Sequence, residues 1–196
     1  YKSEIVKTDN SITLKNGLIS RTFRTVPNGA TVAYENHMTG ESVIRGVKPE
    51  ASVVLDGKQY PIGGLDGQEE YGYLLPEWID SLKSNPNAFQ LKDVKTGKIK
   101  KRFDWKQKRY NADLPWPPPG VTLQMEYRHS DENLKNIKFF VNYELYDSIP
   151  LMCKWIEVEN RGKERVRLNS FVSEYLAVVE SEVNVENNET WSTPNI

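Results

Sequence analysis

The chain has 196 residues, enough to bury a hydrophobic core as one domain. Its 26 Lys and Arg against 27 Asp and Glu leave a net charge of -1, so there is no overall field to gather nucleic acid or an anionic membrane. No apolar run approaches the roughly 18 residues of a membrane-spanning helix. Five Trp, ten Tyr and six Phe are too many for a disordered chain. The single cysteine, Cys153, excludes an internal disulfide framework and a cysteine-based zinc site.

From the N-terminus the pattern is strand, turn, strand. Ile12 and Leu14 alternate with polar residues up to Asn16-Gly17, and Leu18 and Phe23 follow. Asn-Gly provides the positive φ angles of a tight hairpin turn. The pattern repeats in Ala51-Ser-Val-Val-Leu55, Asp56-Gly57 and Lys58-Gln-Tyr-Pro-Ile62. One short helix is expected near residues 76–84. Pro76 suits its first turn, Leu75, Trp78, Ile79 and Leu82 share a face, and Asn85-Pro86 ends it. Thr96-Gly97 is expected to separate two further polar-rich arms. Residues 104–120 read as a long stiff loop, because Trp116-Pro-Pro-Pro-Gly120 cannot join a central strand. Ile137 to Tyr146 is a strong strand, and Leu151 to Glu159 alternates again. Asn160-Arg-Gly-Lys163 turns the chain into residues 165–179, and Val183-Asn-Val185 reads as one more short strand. Closely spaced strands with turns between them exclude βαβ units. The expected fold is all-β and antiparallel, one domain over residues 1–196. The start at Tyr1 is taken to mean a processed or excised piece of a longer protein.

Few residues present themselves for chemistry. The loop Gly63-Gly64-Leu65-Asp66-Gly67 follows a strand but lacks the Lys-Ser/Thr and helix start of a phosphate cradle, so it reads as a turn requiring positive φ. A triad or a metal centre must use one of only two histidines, His37 and His129, or do without, and both fall in turn-like segments. The carboxylate pairs Glu69-Glu70, Glu77/Asp80, Asp131-Glu132 and Glu180/Glu182 sit on polar loops and read as solvated charge, not as acids facing each other across a glycosidic bond. Cys153 reads as a core thiol. Asn188-Glu-Thr190 fits a glycosylation sequon, a pattern common by chance. The aromatic loops are more suggestive. Trp78, Trp105 and Trp116, with Tyr71 and Tyr73, stand near Asp104 and Arg109. Flat apolar faces beside hydrogen-bonding groups suit sugar rings or a domain interface. Trp78, Trp105, Arg109 and Trp116 are therefore the candidate carbohydrate-binding or interface residues. No catalytic residue, metal ligand or cofactor is assigned.

An ordered set of segments carries a resemblance. It comprises Gly17-Leu-Ile-Ser-Arg-Thr-Phe23, Thr39-Gly-Glu-Ser42, Arg45-Gly-Val-Lys-Pro-Glu50, Gly63-Gly-Leu65, Leu75-Pro-Glu-Trp78, Trp116-Pro-Pro-Pro-Gly120 and Tyr143-Glu-Leu-Tyr-Asp-Ser-Ile-Pro150, with Lys154-Trp155. Over about residues 10–185 the chain resembles the N-terminal β domain of bacterial α-galactosidase-like, melibiase-type glycoside hydrolases. The resemblance implies a β-supersandwich of the galactose mutarotase-like kind and a secreted or periplasmic location. It also implies a C-terminal catalytic barrel of the same polypeptide as partner. Such a barrel takes roughly 250 residues and holds the catalytic aspartates, so none of these carries over to a position here. The expected role is a non-catalytic accessory domain that supports the barrel and contacts sugar, with no nucleic acid and no membrane span. A free-standing mutarotase-type sugar epimerase and a stand-alone carbohydrate-binding module are the alternatives. The epimerase needs a histidine and a carboxylate in one groove, the module needs exposed aromatics, and the accessory domain needs an uncovered apolar patch.

Overall fold

The computed structural model describes residues 1–69, 72–106, 108 and 115–179. The fold is all-β and antiparallel. Five strands form the first sheet in chain order: β1 (Glu4–Lys7), β2 (Ser11–Lys15), β3 (Ile19–Arg24), β4 (Ala30–Asn36) and β5 (Glu41–Ser42). A second sheet runs β12 (Met152–Asn160), β11 (Ile137–Tyr146), β10 (Gly120–Arg128), β9 (Gln90–Lys98). A third places β7 (Ala51–Leu55) between β13 (Leu168–Val172) and β8 (Lys58–Ile62). The short strands β6 (Ile44–Gly46) and β14 (Ala177–Val178) pair with each other.

The inward positions of the three larger sheets meet in one core. Leu14 and Phe23 come from the first sheet, Val53 and Ile62 from the third, and Leu123, Phe139, Val141 and Leu145 from the second. Aromatic rings lock the layers: Phe23 lies 4.8 Å from Tyr143, and Phe89 meets Phe139 edge-on at 4.8 Å. Each such side chain contributes on the order of 1.5–3 kcal/mol by leaving water.

Both expected hairpins form, by different means. At Asp56-Gly57 the two φ angles are 47° and 82°, as the mirror-image turn requires. At Asn16-Gly17 only Gly17 has positive φ, at 79°, and the Asn16 side chain does the rest. Its carbonyl accepts from the Leu18 and Ile19 amides, and its Nδ2 donates to the Tyr146 and Ile149 carbonyls, pinning the turn to the end of β11.

Two expectations change. The helical segment is a single 3₁₀ helix, Pro76–Ser81, closed by the Leu82 amide donating to the Ile79 carbonyl. Leu82 is buried just beyond it, while Leu75 stays exposed, so the apolar face is narrower than its spacing implied. Thr96-Gly97 does not separate two arms. β9 runs through it, with Thr96 opposite Leu123 and Gly97 opposite Thr122. An edge strand tolerates a glycine whose neighbouring pairs are in register. The segment at 183–185 lies outside the described residues, as do Glu70, Tyr71, Arg109, Glu180, Glu182 and Asn188.

Candidate functional site

The second sheet has two unlike faces, set by the two-residue side-chain period. Leu123, Met125, Val141, Tyr143 and Leu145 point into the core. On the outer face, Thr122 and Gln124 of β10 stand opposite Glu144 and Asn142 of β11, which stand opposite Cys153 and Trp155 of β12. Cys153, expected as a core thiol, is instead half-buried on this outer face, because it falls at an outward position of β12. Thr122, Gln124, Asn142 and Glu144 floor a groove of about 310 Å³, also lined by Lys95, Lys100, Arg102, Trp155 and Glu157.

The floor is an ordered polar network. Gln124 Nε2 donates to Asn142 Oδ1 at 2.8 Å, and Asn142 Nδ2 donates to Glu157 Oε1 at 3.2 Å. Trp155 Nε1 donates to the same carboxylate at 2.8 Å. Arg102 lies over the Trp155 ring at 4.1 Å and donates from Nη2 to Glu144 at 2.9 Å. Burial alone would lower the Arg102 guanidinium, but the hydrogen bond and charge of Glu144 outweigh it and hold it further into the cationic form. Glu144, only 3% exposed, also accepts from the Tyr146 hydroxyl at 2.9 Å. Burial, then hydrogen bonding with Cys153 and Glu144, raises the pKa of that phenol.

A second groove of about 190 Å³ continues the first, sharing Lys100, Arg102 and Glu144 and walled by Phe103, Trp116 and Pro117. Trp116 is half-buried. Its Nε1 donates to the Phe103 carbonyl at 3.0 Å, and its ring lies 5.1 Å from Phe103 and 5.3 Å from Trp105. Trp105 is 44% exposed. The structure thus brings together two of the four residues singled out in the sequence. Trp78 sits apart on the 3₁₀ helix, against Gly72 and beside the small cluster of Val47, Leu65 and Leu82. Arg109 is outside the described residues.

A different polar cluster lies on the core side. Arg21, at an inward position of β3, donates from Nε to Thr31 at 2.8 Å and from Nη1 to Glu174 at 2.9 Å, and pairs with Glu50 at 3.4 Å. Glu50 accepts from the Thr31 amide at 2.6 Å and from the Tyr143 hydroxyl. Lys154 pairs with Glu174 at 2.8 Å and with Glu50 at 3.7 Å. Burial alone would raise the Glu50 carboxyl, but the Lys154 and Arg21 cations and hydrogen bonds from Tyr143 and Thr31 bring it below the usual carboxylate range. For Lys154, burial and the neighbouring Arg21 outweigh its two carboxylates, and its pKa falls. Among the described residues, no buried side-chain nitrogen or oxygen lacks a hydrogen-bond partner. Arg21 is 3% and Glu50 1% exposed. The cluster is buried except at Glu174, whose side chain is 31% exposed, and it joins β3, β4, β11 and β12 to the segment holding Glu174.

The histidines stand elsewhere. His37 is exposed and meets Ser20 Oγ at 2.9 Å, while His129 donates to the Asn87 carbonyl at 3.2 Å and packs edge-on against Tyr60 and Phe89. The Gly63–Gly67 loop is a turn in which Gly63, Gly64 and Gly67 all have positive φ. Gly63 also lies too close to the Gly29 carbonyl to carry a side chain. Leu65, Asp66 and Gly67 of that loop line a cavity of about 580 Å³, where Gln68 bonds to backbone atoms of Arg45, Val47 and Gly72. Among the described residues, no group of three His, Cys, Asp or Glu converges as metal ligands, and no helix is long and apolar enough to cross a membrane.

Gln124, Asn142, Glu144, Trp155 and Glu157 escaped the sequence reading. Their signal was the alternation itself: once β10, β11 and β12 are aligned, every second residue is polar or aromatic on one common face. No protein-family model, curated protein or solved structure matches the chain.

Proposed function

We propose that this chain is a non-catalytic, carbohydrate-binding accessory domain of a glycoside hydrolase, and that it binds sugar in the groove floored by Gln124, Asn142 and Glu144. The observation that carries the reading is Trp155, whose indole stands beside two carboxamides, two carboxylates and a guanidinium held in fixed positions. A pyranose has an apolar C–H face for an aromatic ring and a hydroxyl rim for a preorganised set of donors and acceptors. The glycoside-hydrolase part of the reading, with its secreted or periplasmic location, rests on the sequence resemblance to α-galactosidase-like N-terminal domains.

The same resemblance supplies the partner, a C-terminal catalytic barrel of the same polypeptide. Exposed apolar side chains support such packing: Phe171 is 61% exposed and Leu168 and Val172 are each 41% exposed on β13. The Phe103–Trp105–Trp116 cluster is the second surface suited to contact with the barrel or its substrate.

The test is isothermal titration of the chain with galactan-derived oligosaccharides, alongside Trp155→Ala. Saturable binding lost in Trp155→Ala supports the reading. Binding unaffected by that substitution, or none to any glycan tried, contradicts it.

A further inference from the structure

Resting on that reading, we propose that the groove selects an anionic glycan, a sugar chain bearing carboxylate or sulfate groups, over a neutral one. Although the whole chain carries a net charge of -1, residues 92–109 hold nine Lys and Arg against two Asp. The structure concentrates part of this charge on the groove. Lys95, Lys98, Lys100 and Arg102 line it, opposed by Glu144 and Glu157. Both carboxylates are already engaged, Glu144 by Arg102 and Tyr146, and Glu157 by Asn142 and Trp155. Among the described residues, no carboxylate pairs with Lys95, Lys98 or Lys100. Lys95, on the outer face of β9 opposite Gln124, and Lys100 just beyond the strand therefore line a cleft whose acids are already engaged, beside the Trp155 ring. A sugar carboxylate or sulfate would supply the missing acceptors through charge-assisted hydrogen bonds.

Lysines also protect an edge strand from pairing with other chains, and β9 is an edge. That role has no need of convergence on one groove with Trp155 and two carboxamides, whereas recognition does. Nucleic acid shares the charge but presents phosphates along a backbone. The single indole and the hydrogen-bonded Gln124, Asn142 and Glu157 floor fit a hydroxylated ring better than a run of stacked bases.

The experiment measures affinity for polygalacturonate, dextran sulfate, neutral galactan and single-stranded DNA at low salt and at high salt. It compares the unmodified chain, Lys95→Gln/Lys100→Gln and Trp155→Ala, each checked for native circular dichroism. Both lysines are exposed, so the double variant keeps its fold. At least one anionic glycan is expected to bind about tenfold more tightly than galactan at low salt, and to lose that advantage in high salt. The double variant removes the advantage by weakening polyanion binding far more than galactan binding, while Trp155→Ala abolishes both. The tighter of the two polyanions identifies carboxylate or sulfate as the recognised group. Equal affinity for galactan and the polyanions, insensitive to the lysines, overturns the inference and leaves sugar binding standing. Binding to no glycan overturns both. DNA binding as tight as that of the better polyanion, through the same lysines, overturns the assignment to a glycan.

Discussion

Tyr143 and Glu144 are neighbours on one strand, as are Lys154 and Trp155 on the next, yet each pair divides between two different environments. Tyr143 and Lys154 turn inward to Glu50, Glu174 and Arg21, where every charge is matched and only Glu174 reaches solvent appreciably. Glu144 and Trp155 turn outward to Arg102 and an open groove. The residue types are similar and the consequences opposite. A buried, saturated charge cluster fixes which strands lie together, and removing one member strands the rest without water. A half-open network of the same groups keeps a shaped surface with hydrogen-bonding capacity left for a ligand.

The largest expected effect breaks the inner cluster. Glu50→Ala leaves Arg21 and Lys154 without their central carboxylate and is expected to cost about 3–5 kcal/mol in urea denaturation. Replacing Arg21, Glu50 and Lys154 together by Met, Leu and Met recovers much of that loss, because no buried charge is then left unpaired. A triple variant no more stable than Glu50→Ala would show that the cluster does more than balance charge.

Acid probes the same residue. Glu50 has a folded pKa below its unfolded value, so its contribution is full above roughly pH 4.3 and is lost as pH falls through the lower, folded value. Stability measured against pH should decline more steeply over that window in the unmodified protein than in Glu50→Gln. Parallel curves would remove Glu50 from the acid response.

On the outer face the stability effects shrink while the binding effects grow. Trp155 is half-buried, and Trp155→Ala is expected to cost about 1–2 kcal/mol while abolishing glycan binding. Trp105 is exposed, and Trp105→Ala is expected to cost under about 1 kcal/mol. A Trp105→Ala loss near 3 kcal/mol would mean that this loop caps the core of the domain.

Much of the architecture was legible because the alternation at Ile12–Leu14 and 137–159 has the period of a strand and the turns carry Asn-Gly and Asp-Gly. Thr96-Gly97 misled because a glycine in an edge strand looks locally like one in a turn; only the register of β10 distinguishes them. The candidate site was half legible. Trp105 and Trp116 stood out by composition, but Trp155 lay inside a strand where an aromatic residue reads as core. Arg21 and Lys154 occupy inward positions of alternating strands, a departure visible in the sequence once the inward face is known. Their partners Glu50 and Glu174 lie 29 and 153 residues from Arg21, beyond any local pattern. The near-zero net charge likewise concealed the basic stretch at 92–109, because an average over 196 residues has no address.

The contrast between the two faces is tested most directly by amide and indole chemical-shift mapping by NMR during titration with neutral and uronate oligosaccharides. The expected result is saturable shifts at the Trp155 indole N–H and the Gln124 and Asn142 side-chain amides, with the Arg21 guanidinium signals of the inner cluster unmoved. Shifts gathered instead around His37 or the Gly63–Gly67 loop, or none with any sugar, would contradict the assignment of recognition to the outer face.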